Sequence, residues 1–197
     1  MTLTGYYFTA TGLSEHAFYD DNHCLCRIVN TYFPGSPIRI YHSRQRFAAS
    51  EQSFPTSEQS FPTSDQPHAV TAQSCAASDQ QWGTYHHDGF IRGKHGIVLA
   101  EIKVLSARNH FTINVGSEAV TGRVINWHLR KAVVYSGLDG EDIGMVEYKI
   151  DRAVRQKAYG ELFPQRYVAN IKDGVAEDMR IALLSIPFLD IPGIEVG

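Results

Sequence analysis

Two groups of residues in this sequence have the types and spacing that chemistry would need. The stretch "YHHDGFIRGKH" gathers His86, His87, Asp88 and His95 within ten positions. Imidazole and carboxylate together are a common ligand set for zinc or iron. Adjacent histidines on a strand point to opposite faces, so only one of His86 and His87 can join a given site unless a turn begins between them. "HDG" reads as such a turn, and the bland account of the stretch is a solvated hairpin end. The second group is cationic. Arg152, Arg155 and Lys157 fall in "DRAVRQKAYG", Arg130 and Lys131 precede the hairpin before it, and Arg92 and Lys94 flank a glycine. Side chains of this kind hold phosphate groups, and each cation near an anionic leaflet contributes about 1 kcal/mol. The competing account is an ordinary solvated charged face.

Other chemistries leave no such trace. Cys24 and Cys26 in "CLC" share one face of a strand and could lend two thiolates to a metal. A structural zinc site needs a second close pair, so buried small apolar side chains explain them better. No Gly-x-Ser-x-Gly is present. "GLDGEDIG" carries three acids between two strands and would repel a phosphate. Glu141 and Asp142 in it are exposed turn carboxylates. We expect no cofactor and no catalytic residue, and hence a protein that is not an enzyme.

The elements that must position these residues are mostly strands. Eleven short segments, from "YYFTA" to "RYVANIK", combine β-branched and aromatic residues with Gly, Asp or Asn between them. That number of strands closes or folds over. The end of the chain departs from this pattern. In "KDGVAEDMRIALLSIPFLDI", Asp173, Glu177 and Asp178 surround the first turn of a helix, where acids complement the dipole. Met179, Ile181, Ala182, Leu183, Leu184 and Ile186 then leave it almost no polar face. A helix that is apolar all round must be enclosed. From Val175 to Ile186 it would be roughly 18 Å long, too short for a bilayer and suited to threading a barrel. Pro187 should end or kink it. The sequence thus predicts a closed antiparallel β-barrel of about 11–12 strands around a buried C-terminal hydrophobic helix, a single domain over residues 1–197.

One segment stands apart. "SEQSFPT" occurs twice from Ser50, and Gln45, Gln52, Gln59, Gln66, Gln73 and Gln80 recur at a spacing of seven. A coiled coil would need two apolar seam positions per heptad, whereas these units offer one Phe at most and carry Pro55 and Pro62. The composition, rich in Ser, Gln, Ala and Thr, cannot bury enough apolar surface to order the backbone. We expect a disordered tandem-repeat insert at 43–80, in a surface connection.

The net charge of -3 is spread without a basic block, which argues against a general nucleic-acid binder. The opening "MTLTGYYFTATG" has no cationic start followed by an apolar run, and the three cysteines are too sparse for a disulfide framework. An intracellular, cytoplasmic protein without a transmembrane segment is expected.

Three stretches resemble the tubby C-terminal-like superfamily, which includes tubby proteins, phospholipid scramblases and LURP-one-related proteins. "FTATGLSEHAFYDDNHCLCRIV" is similar to the opening hairpin of that family, with Asn22-His23 where glycine is usual. "KAVVYSGLDGEDIGMVEYK" resembles a later hairpin, and "YVANIKDGVAEDMRIALLSIPFLDI", running to Asp190, resembles the closing strand, acidic turn and buried helix. Pro187 departs from the pattern. The resemblance implies a closed barrel, typically of twelve strands, around a central helix. It also implies a non-enzymatic binding or scaffold module, its partner either a protein or the phosphoinositide headgroups at the inner membrane surface. Tubby proteins bind phosphatidylinositol bisphosphate through basic residues on the barrel wall. On that ground Arg130, Lys131, Arg152, Arg155 and Lys157 are the candidate headgroup ligands. The alternative is a small-ligand carrier or barrel enzyme with its site at one mouth, which would pack the helix outside an open cavity.

Overall fold

Alternation of apolar and polar residues along each strand fixes one inward face, and closing that face on itself gives the architecture found in a computed structural model of the chain. The structure describes residues 2–10, 13–20, 23–31, 35–43, 79–105, 109–127, 130–149 and 166–194. Twelve antiparallel strands form a closed barrel. They are β1 (Thr2–Ala10), β2 (Leu13–Asp20), β3 (His23–Thr31), β4 (Ile38–Ser43), β5 (Asp79–Tyr85), β6 (Phe90–Arg92), β7 (Val98–Val104), β8 (His110–Val115), β9 (Glu118–Trp127), β10 (Arg130–Gly137), β11 (Asp142–Lys149) and β12 (Arg166–Ile171). Each pairs with its sequence neighbour, and β12 closes on β1 through registers such as Thr2↔Asn170 and Thr4↔Val168. Eleven of these strands match the segments expected. β6 is the additional one, three residues between Gly89 and Gly93, too short to show a period.

Helix α1 (Glu177–Ser185) follows β12 and runs through the barrel. Met179, Ile181, Ala182, Leu183, Leu184 and Ser185 are all buried, and the helix packs on both β3 and β8, which stand on opposite walls. Its apolar surround is therefore the barrel interior itself: Ile28 and Ile40 from one side, Phe111 and Ile113 from the other. Pro187 does not extend the helix. The chain tightens into a 3-10 turn at Ile186–Phe188, after which Leu189, Ile191 and Ile194 remain buried and stop the far end. Proline lacks the donor an α-helix would require there.

Four polar contacts hold the helix in place. Tyr135 donates to the Leu183 carbonyl at 2.6 Å and Tyr85 to the Asp190 carbonyl at 2.9 Å. Loss of water around these phenols raises both above the ordinary tyrosine range, Tyr85 to about 12. At the other end His42 meets Glu177 at 2.9 Å and Trp82 Nε1 donates to Asp178 at 2.7 Å. The barrel thus has a near rim, where the chain turns from β12 into the helix, and a far rim, where the helix ends. No helix among the described residues is long and apolar enough to cross a membrane.

The segment expected as an insert joins β4 to β5 at the near rim. Ser43, Asp79 and Gln80 at its ends are strand residues, in the registers Ser43↔Asp79 and His42↔Gln80. Residues 44–78, on which the expectation of disorder falls, lie outside the described residues.

Candidate anion-binding face

Residues that pair directly across antiparallel strands share a face of the sheet. At the far rim Arg130 of β10 pairs with Lys149 of β11, and Lys149 pairs with Arg166 of β12. The row continues to Trp127 on one side and to Tyr6 on the other. Three adjacent strands therefore carry three cations at one register level, bounded by two aromatic residues. The core residues of these strands, Tyr167, Ala169 and Ile171 in β12, Val133 and Tyr135 in β10 and Val146 in β11, stand at other register levels. Two positions along the same strands, Val168, Glu147 and Ala132 are in register, one carboxylate among them.

Like charges directly opposite one another in a sheet destabilise it, with Cβ atoms about 4.5–5.5 Å apart. Three cationic residues at one register level are the kind of row that a multiply charged anion can bridge, with guanidinium groups as hydrogen-bond donors. Arg and Lys at a strand end, flanked by Trp and Tyr, also form the pattern that suits a polar–apolar boundary.

Of the residues singled out from the sequence, Arg130 belongs to this row. Lys131 is at the next register level, paired with Tyr148 and Asn126. Arg152, Arg155 and Lys157 lie outside the described residues, in the connection that leaves β11 at Lys149 and returns to β12 at Arg166. Lys149 and Arg166 were not picked out from the sequence. They stand 17 positions apart, and only the register of β11 against β12 makes them neighbours. The usable signal was proximity to "DRAVRQK", since both flank that segment.

The histidine stretch is divided by the fold. His86 is exposed just beyond β5. His87, at φ 60°, turns back so that Nε2 lies 3.0 Å from the Ser36 carbonyl and Nδ1 3.9 Å from Asp190. Asp88 accepts from Arg92 at 2.6 Å; desolvation raises its carboxyl, and the hydrogen bonds from Arg92 and the Phe90 N–H together with the Arg92 charge outweigh this and hold it below its usual range. His95 sits exposed in a 3-10 turn, Lys94–Gly96, at the near rim beyond β6. Among the described residues no group of three or more His, Cys, Asp or Glu side chains is placed to hold a metal ion. Cys24 and Cys26 are buried, Cys26 within the core.

No family model, no curated protein and no solved structure matches the chain. The far-rim row thus stands on its own geometry.

Proposed function

We propose that this barrel is a non-enzymatic binding module that takes anionic phosphoinositide headgroups on the outer wall at its far rim. The observation that carries the reading is the cross-strand row Arg130, Lys149 and Arg166. Arg152, Arg155 and Lys157 lie between Lys149 and Arg166 in the sequence, which adds cationic residues next to that row along the chain. The filled interior supports it as well: Leu183 and Leu184 are 0% and 1% exposed within the barrel, so the helix occupies the space a carried ligand would need. The resemblance to tubby-like proteins points the same way.

Sedimentation with phosphatidylcholine vesicles, with and without phosphatidylinositol bisphosphate, tests the proposal. The protein is expected to sediment only with the phosphoinositide vesicles, and less so as salt rises. Removing two cations in Lys149→Gln/Arg166→Gln should weaken binding roughly thirtyfold, at about 1 kcal/mol for each cation. Arg152→Glu/Arg155→Glu should weaken it further. Equal sedimentation of parent and variants, with melting transitions unchanged, would dispose of this face.

A further inference from the structure

A second surface lies at the opposite end of the barrel and has the opposite charge. A groove of about 490 Å³ opens at the near rim, where the turns before β9, before β11 and before α1 converge. Its floor is apolar: Val120 and Met179 are 6% and 1% exposed, and Ile143 and Val175 pack beside them. Its walls are charged. Glu118, Glu141 and Asp173, all exposed, line it together with a single cation, Lys172. Lys172 is hydrogen-bonded to Glu141, a contact that raises its pKa.

The groove does not end at the rim. A second depression of about 740 Å³ shares Glu141, Ile143 and Lys172 with it and continues down the outer wall past Val134 and Met145 to Asn170 and Thr2. The two meet at the Lys172–Glu141 pair and form one channel, with an apolar floor and acidic walls at the mouth and with Val134 and Met145 beside Asp142, Asn170 and Thr2 along the wall. Leu138, at the tip of the β10–β11 turn between the lining residues Gly137 and Glu141, is 71% exposed. A linear track of this shape matches an extended chain better than a compact solute, and its carboxylates select against acidic occupants.

We propose that this channel docks an extended peptide segment of a partner protein, with a lysine or arginine over the Glu118–Asp173 side and an apolar side chain over Val134 and Met145. The Lys172–Glu141 pair then acts as an internal competitor: the partner's cation must share Glu141 with Lys172. This site is independent of the far-rim face, so one molecule can hold an anionic surface at one end and a basic chain at the other.

Fluorescence anisotropy with a labelled hexapeptide of alternating leucine and lysine tests it, alongside the leucine–glutamate counterpart and hexalysine. The leucine–lysine peptide should bind more tightly than either. Glu118→Gln/Asp173→Asn should weaken it by about fivefold, the range of two exposed ion pairs. Lys172→Met should strengthen it by about threefold, because Glu141 is released. Loss of binding in Lys172→Met, preference for the glutamate peptide, equal binding of hexalysine, or indifference to Glu118→Gln/Asp173→Asn would each overturn the proposal. So would the absence of leucine–lysine binding. The changed side chains are surface-exposed, and parallel melts confirm that each variant is folded. The Lys149→Gln/Arg166→Gln variant should bind the peptide as the parent does, which separates failure of this site from failure of the far-rim face.

Discussion

His16 shows how one side chain inside the barrel sets a pH limit on the whole. Its ring stacks on Phe188 at 4.0 Å and meets the edge of Tyr167 at 5.5 Å, in a cluster that includes Phe18. Burial lowers its pKa from 6.5 to about 4, because an imidazolium there would lose its hydration. The unfolded chain takes up the proton first as pH falls. The stability that neutral His16 provides is therefore complete above pH 6.5 and is lost progressively towards pH 4, by on the order of 3 kcal/mol. Denaturant titrations at pH 7 and pH 4.5 should show this slope in the parent and a shallower one in His16→Phe. Equal slopes would mean the ring is accessible to protons in the fold. Nothing in "SEHAFYD" marks this histidine, since its partners Phe188 and Tyr167 are distant in sequence and reach it only through the barrel. Glycine at position 122 has a comparable tertiary cause: the Phe111 ring lies across it, where any Cβ would collide.

At the scale of elements, the helix was the most legible part of the sequence and its fastening the least. An unbroken apolar run after an acidic first turn requires enclosure, and the observed Glu177–Ser185 lies inside the expected span. The residues that receive those first-turn acids, His42 and Trp82, come from β4 and β5 and are separated in sequence by the repeat segment. Trp82 sits where the register of β5 against β4 shifts, between Gln81 and Gly83, which places it out of simple alternation. Trp82→Phe should cost about 1 kcal/mol for the lost hydrogen bond to Asp178. Asp178→Ala should cost somewhat more, since it also removes a charge that complements the helix dipole. Because both act on one bond, the double variant should fall short of their sum by about 1 kcal/mol in urea unfolding. Strict additivity would show that the bond contributes nothing.

For the whole molecule, closure predicts that the repeat segment is dispensable. Its flanking residues Ser43 and Asp79 are direct register partners, so the β4–β5 pair can be joined by a tight turn. Replacing residues 44–78 with Asn-Gly should leave a cooperative transition and a stability within about 2 kcal/mol of the parent, since loop length costs only ~0.6 kcal/mol per doubling. A broad, non-cooperative melt would show that the segment takes part in the core. The sequence by itself determined what depends on neighbours along the chain: strands from period two, a helix that must be enclosed, and a repeat excluded from coiled-coil packing. Only the tertiary structure decided which charged residues come into register. Strand alternation says that Arg130, Lys149 and Arg166 each belong to a face. It cannot say how far one strand is shifted against the next, which is set by closing all twelve around the helix. The acidic channel likewise is assembled from three turns that no local pattern relates.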